Sequence, residues 1–322
     1  IAIDHRDNNL QLISNIYCDD SLNFAQAYDE AVSNLEALLA LVSQPTNQVF
    51  KQPYKSEETA VQSNISKEEF ISAVLKAKEH VKAGDVFQVV LSQRFDLDLK
   101  AEPIDVYRVL RALNPSPYMY LLNLEDNRGR FSIVGSSPEA LAKTSSGKVV
   151  MHPIAGSRPR GKTVSEDQEF ADSLLADHKE RAEHLMLVDL ARNDLLKVSN
   201  SDSISVTEFM KIERFSHIMH LVSTVESELE PTNGPVDLLA ATFPAGTLSG
   251  APKPRALEII TDLEPSNRGL FGGVVGYIDF SGNADLAIAI RTAVLRDGNA
   301  HIQQSWDCFR LRSFIGIPRD NQ

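Results

Sequence analysis

Two glutamates on one helical stretch raise the first chemical question. In HKERAEHLMLVDLARNDL, Glu180 and Glu183 stand at i and i+3 and so share a face. Like charges at that spacing repel by roughly a few tenths of a kcal/mol unless a cation lies between them. Mg²⁺ suits such a pair, because it takes one or two carboxylates and fills its other positions with water or substrate. A solvated helix face is the alternative. In FPAGTLSGAPKPRALEII, Gly246, Thr247, Ser249, Gly250 and Lys253 precede a helix. Small residues let backbone approach a ligand, and a helix N-terminus favours an anion. The segment is not a P-loop, since Pro252 intervenes and no G-K-[ST] ending follows; a plain capped loop is the alternative. His217 and His220 lie three apart in RFSHIMHLVS without the cysteine or acidic neighbour of a zinc site, so core packing or a hydrogen bond to substrate suits them. Tyr277 and Arg291 offer a phenol and a guanidinium to a carboxylate. A core aromatic is the other reading of Tyr277. Arg291, inside LAIAIRTAV, is flanked by so much apolar sequence that it calls for an anionic partner.

These residues need positioning elements. Apolar residues at helical spacing (Ala27, Ala31, Leu35, Leu38, Val42) predict a helix over 24–44, and the polar stretch 45–64 reads as a linker. Ser66 with Glu69 forms a capping-box start, and Gly84 ends that helix near Ala83. VFQVVLSQRFDLDL, MYLLNLE, RFSIVGSS and KVVMHPIAG read as strands, and 166–193 as one long helix or two in series. GGVVGYIDF, DLAIAIRTAVLRDG and AHIQ read as paired strands joined at Ser281-Gly282-Asn283 and Asp297-Gly298-Asn299. Strand runs beside separate helices predict an α+β fold, with no repeating βαβ unit.

The 322 residues, 43% hydrophobic and 24% charged, suffice for a sizeable core. A net charge of −12 argues against nucleic-acid binding and leaves an anionic small substrate to a few local cations or amides. The two cysteines, Cys18 and Cys308, form neither a disulfide framework nor a zinc pattern, so a reducing cytoplasm is the simplest setting. Apolar runs fall short of the roughly 18 residues of a membrane span.

GDVFQVVLSQRF, NPSPYMYLL, IVGSSPE, PIAGSRPRG, AEHLMLVDLARNDL, FSHIMHLVS, FPAGTLSGAPKPRA and GGVVGYIDFSGN occur in that order. Together they resemble the chorismate-utilising enzymes, most closely the anthranilate synthase component I type, over about residues 65–304. The resemblance implies large antiparallel sheets packed as a sandwich with helices outside. It implies chorismate as substrate, Mg²⁺ as cofactor, and a separate glutamine amidotransferase subunit as ammonia source. Two positions separate the sister activities. Aminodeoxychorismate synthases carry a nucleophilic lysine where this chain has Ala155, and isochorismate and salicylate synthases carry a water-activating lysine where it has Gln88. Both point to direct attack by ammonia and to anthranilate. By the same resemblance, Glu183 is a metal ligand and Glu180 a ligand or proton-transfer group. His220 lies near the leaving hydroxyl. Thr247 meets the ring, Tyr277 and Arg291 grip the enolpyruvyl carboxylate, and Gly246, Lys253 and Gln88 fall on the substrate side. Asn114, Pro115, Tyr118 and Met119 match the pocket where tryptophan acts as feedback inhibitor. An aminodeoxychorismate synthase-type enzyme and a catalytically dead binding remnant are the competing readings.

The organisation expected is a remnant of an N-terminal subdomain over 1–44, a linker over 45–64, a chorismate-binding domain over 65–304 and an aberrant tail over 305–322. The family continues with AGAGIV and a segment ending E-Y-x-E-T that brings a second metal-binding glutamate. This chain instead reads SWDCFRLRSFIGIPRDNQ. Codons compatible with Ser305 onward, shifted by one base, spell AGIVSDSVPSSEYRET. That suggests a frame change and, with a metal carboxylate lost, little synthase activity; a divergent tail is the alternative.

Overall fold

The computed structural model describes residues 1–18, 22–45, 60–215 and 218–307. His217 lies outside them, as does the tail beyond Asp307. The chain divides into two compact units, Ile1–Glu57 and Glu58–Gln322. The first holds a hairpin, β1 (Ala2–Asp4) with β2 (Asn9–Gln11), and helix α1 (Phe24–Val42), capped by the Asn23 side chain.

The second unit begins earlier than the sequence suggests. Within the expected linker, β3 (Val61–Ser63) pairs with β4 (Gln88–Asp98), and the Asn64 side chain accepts from Arg94 N. Polar side chains there serve a sheet margin, which composition alone reads as loop. Between these strands runs α2 (Lys67–Ala83), with the expected capping box between Ser66 and Glu69 and Gly84 at φ +82 as its stop.

Next come α3 (Pro103–Leu113) and the strands β5 (Tyr118–Asp126), β6 (Gly129–Ser137), β7 (Ala140–Ser145), β8 (Lys148–Met151) and β9 (Ile154–Pro159). KVVMHPIAG is thus two strands, split at His152-Pro153, because proline cannot donate to a ladder. Two helices in series follow, α4 (Val164–Ala176) and α5 (His178–Leu195), separated at Asp177, whose carboxylate caps α5 by accepting from Lys179 N and Glu180 N. Strands β10 (Ser205–Arg214) and β11 (Ile218–Glu228), which the sequence reading passes over, form a long antiparallel pair. The segment FPAGTLSGAP folds between α6 (Pro235–Thr242) and α8 (Lys253–Leu263) as one helical turn, α7 (Gly246–Ser249), and a short strand, β12 (Gly250–Ala251). The chain ends with β13 (Val274–Ile278), β14 (Ala284–Ile288), β15 (Thr292–Arg296) and β16 (Asn299–Asp307). Ser305–Asp307, expected to be tail, continue β16 in register with β4 as far as Val90.

Among the described residues, the strands of the second unit form two antiparallel sheets. One runs β10-β11-β8-β7-β14-β13, with β9 also on β11; the other runs β12-β4-β16-β15-β6-β5, with β3 also on β4. Helices α5 and α6 cover the first through Val188, Ala191, Leu195, Leu238 and Ala241. Helices α2 and α8 cover the second through Val74, Ala77, Ala256 and Ile259 against Val89 and Leu91. This is the α+β architecture expected. Among the described residues no helix is long and apolar enough to cross a membrane.

The chain crosses between the sheets twice where it matters most. Pro138-Glu139 joins β6 of the second sheet to β7 of the first, and Ala289–Arg291 joins β14 of the first to β15 of the second. DLAIAIRTAVL is therefore two strands, broken at Arg291, which takes a left-handed φ of +50. The crossovers are tied together: Ile288 N donates to Glu139 O, Ser136 N to Arg291 O, and Ser137 Oγ to Ile288 O.

His184 is fully buried on the inner face of α5, 2.6 Å from Ser223 Oγ, and burial lowers its imidazole to about 4. The unfolded chain takes up that proton near 6.5, so the neutral imidazole's stability is full above that pH and is lost as pH falls toward 4. Unfolding free energy measured by urea titration falls by about 3 kcal/mol across that window through this group. In His184→Gln the decline flattens; an unchanged decline would exclude His184 as its source.

Candidate active site

The crossovers open onto a cavity of about 770 Å³, within the roughly 300–1,000 Å³ of small-molecule sites. Gln88, Asn114, Pro115, Glu183, His220, Thr247 and Arg291 line it, each singled out from sequence. So does Ala155, so both positions that separate the sister activities line this cavity, Gln88 from β4 of one sheet and Ala155 from β9 of the other.

Helix α5 carries Glu183 at the cavity and Glu180 one turn earlier, buried beneath β9. Strand β9 comes this close because Gly156 lacks a side chain. A Cβ there would sit 3.1 Å from Glu180 Oε2, on a backbone at φ +77 that only glycine adopts cheaply. Arg158 Nη1 stands 3.7 Å from Glu180 Oε1, and its Nη2 donates to Asp177 Oδ2. His220 on β11 donates from Nδ1 to Gly156 O at 3.1 Å, which makes Nε2 the acceptor of the neutral ring. The Phe215 ring lies edge-on to it.

Glu139, in IVGSSPE but not singled out from sequence, is a strongly perturbed acid of the cavity. Burial pushes its carboxyl up to about 7, against the opposing pull of the Thr247 hydroxyl, which donates to Oε1 at 3.2 Å, and of the Arg291 charge. Arg291 reaches Asn114 Oδ1 at 3.5 Å. A partly buried carboxyl held near neutrality can give or take a proton there. The sequence offered only an acid after Ser-Ser-Pro, which reads as a loop.

Other expected residues stand elsewhere. Tyr277 is 64% exposed on edge strand β13, outside the cavity lining. Lys253 is buried in an ion pair with Asp194, so the cation expected to meet substrate is already spent on a carboxylate of α5. Gly246 lines a smaller inner cavity of about 50 Å³ behind Glu139 and Thr247. Of the four residues assigned to a tryptophan pocket, Asn114 and Pro115 line the large cavity, while Tyr118 turns its hydroxyl to Asp285 at 2.7 Å and, with Met119, lies off it.

For Mg²⁺, the described residues gather no cluster of three His, Cys, Asp or Glu. Mg²⁺ does not require one: Glu183 on the wall, with Glu180 behind it, could supply the one or two carboxylates it takes, the rest being water and substrate.

Two antiparallel sheets joined by crossovers wall a cavity where acids, a histidine and an arginine converge, in an α+β frame. The chain belongs to the chorismate binding enzyme family, whose profile matches residues 1–304. It is 54% identical over 306 residues to anthranilate synthase component 1 of Arthrobacter globiformis, an alignment covering 93% of this chain and 58% of that protein. Its identity to the Mycolicibacterium smegmatis protein of the same name is 50% over 311 residues, covering 94% and 58%. The structure resembles anthranilate synthase component I from Streptococcus pneumoniae with a TM-score of 0.82 at 37% identity, covering 95% of this chain and 66% of that one. It also resembles a putative 2,3-dihydroxybenzoate-specific isochorismate synthase from Bacillus anthracis, with a TM-score of 0.69 at 26% identity, covering 77% and 67%. The chain thus spans somewhat over half the length of these curated relatives.

Proposed function

We propose that this chain carries the chorismate site of an anthranilate synthase, turning chorismate and ammonia into anthranilate, pyruvate and water. The observation that carries this reading is the pairing of Gln88 and Ala155 on the wall of a cavity that also holds Glu183, His220, Thr247 and Arg291. Neither an amide nor a methyl group can attack the ring or activate water, so the nucleophile must come from outside the chain. Ammonia fits, supplied from glutamine by a separate amidotransferase subunit.

Arg291 holds a substrate carboxylate with its fork of donors. Glu139, in its acid form, donates to the departing ring hydroxyl and is left as carboxylate beside Thr247 and Arg291. His220, oriented by Gly156 O, stands at the same cavity to hydrogen-bond the ring substituents. Glu183, with Glu180 behind it, would hold Mg²⁺. When bound, the ion supplies Lewis-acid charge that anchors the ring carboxylate and favours loss of the hydroxyl. Neither Tyr277 nor Lys253 touches the substrate in this reading. Tryptophan would reach the cavity through Asn114 and Pro115, where the contact of Asn114 with Arg291 links inhibitor to substrate carboxylate.

The test incubates the chain with chorismate, Mg²⁺ and ammonium salt and follows anthranilate fluorescence alongside pyruvate. Anthranilate and pyruvate are expected in equimolar amounts, at the low rate that the lost metal carboxylate leaves. Isochorismate, or aminodeoxychorismate without pyruvate, would sink the reading in favour of a sister activity. Calorimetric binding of chorismate with no product would mark a binding remnant.

A further inference from the structure

We propose that Lys253 is a positioning residue whose buried ammonium clamps both ends of the segment 242–253 to helix α5 and thereby sets the Thr247–Glu139 contact. This rests on the reading of Glu139 as the site's proton donor. Lys253 Nζ donates to Thr242 O at 2.8 Å and to Asp194 Oδ2 at 2.5 Å. Since Lys253 is itself the far end of that segment, one ammonium ties its beginning to its end. Asp194 is held in turn by Lys197, which also donates to Ala241 O. Asp194 lies eleven residues after Glu183, about three turns along the same face of α5. The clamp therefore references Thr247 to the helix that carries Glu183.

The segment between the clamped ends has little freedom. Gly246 seats on α5 so closely that a Cβ would fall 2.1 Å from Leu190 Cδ2. Ser249 Oγ donates to Ala245 O, and β12 pairs with Gln88 and Val89. Thr247, held among these contacts, donates its hydroxyl to Glu139. The inner cavity behind that contact is lined by Glu139, Thr247, His152 and Asp194, so the clamp and the carboxyl bound one space. The charged or titratable groups around Glu139 are Arg291 on the other crossover, Glu183 and His220 across the large cavity, and His152 and Asp194 across the small one.

The test is a ¹³C-carboxyl NMR titration of the whole chain, with the Glu139 signal assigned by its loss in Glu139→Gln. It needs no turnover, so the failure of the functional reading (no anthranilate) and the failure of the clamp (an unmoved midpoint) are read separately. Thr247→Val removes the hydrogen bond to the carboxylate form and raises the Glu139 midpoint by about one pH unit. Lys253→Met raises it comparably, and the double variant goes no further than Thr247→Val alone. Asp194→Leu with Lys253→Met replaces the ion pair by an apolar contact and should show the same shift, which covers the case in which Lys253→Met alone fails to fold. A Glu139 midpoint unmoved in the folded Lys253 variants, or shifts that add in the double variant, would overturn the clamp. So would a loss of chorismate affinity with the midpoint unmoved, which would return Lys253 to the substrate.

Discussion

Glu139→Gln forms anthranilate at least about a hundredfold more slowly than the parent chain, the usual span of general acid–base catalysis being roughly 10²–10⁴. Glutamine keeps the size of the side chain and an oxygen for the Thr247 hydroxyl, so what it removes is the proton. In the parent, the rate falls as pH rises through about 7, where the acid form of Glu139 is lost. That limb should be missing in the variant. Chorismate affinity should change little, since Arg291 and the cavity wall remain. A variant retaining more than about a tenth of parental activity would remove Glu139 from the chemistry.

Arg268→Ala costs about 3–5 kcal/mol of unfolding free energy. Arg268 forks onto Glu264 at 2.6 and 3.0 Å and donates to Leu248 O and Val90 O, both at 2.6 Å. Glu264, its side chain only 5% exposed, also accepts from Ser92 N and Ser92 Oγ. Removing the guanidinium leaves a buried carboxylate without its cation and frees the carbonyls of β4 and α7. Urea unfolding measures the loss. Lys at 268 should recover only part of it, because a point charge cannot bridge carboxylate and two carbonyls at once. A loss below about 1 kcal/mol would show the network to be incidental.

Local signals carried well from sequence to structure. Ser66, Glu69 and Gly84 bound α2 because a cap is a matter of a few adjacent residues. Non-local features did not carry. The apolar alternation of DLAIAIRTAVL runs unbroken, and only the pairing of β14 with β7 and of β15 with β6 places a break at Arg291. Glu139 became a partly buried acid because two crossovers close around it, and nothing within IVGSSPE records that. The lysine in SGAPKPRA looked like a ligand's cation because its partner, Asp194, lies 59 residues away. The family resemblance supplied Gln88, Ala155, Glu183, His220 and Arg291 as a set, while spacing alone left their roles open.

The tied crossovers divide labour along the cavity wall. Glu139 and Arg291 sit where the chain has no slack, each backbone bonded to the other's strand. Gln88 and Ala155 sit within ladders, β4 and β9, whose register is fixed by neighbours whatever side chain they bear. Such a scaffold can exchange the side chain at 88 or 155 while Glu139 and Arg291 stay still. Divergence of chemistry on this fold then takes single side-chain replacements, with no rebuilding of the frame.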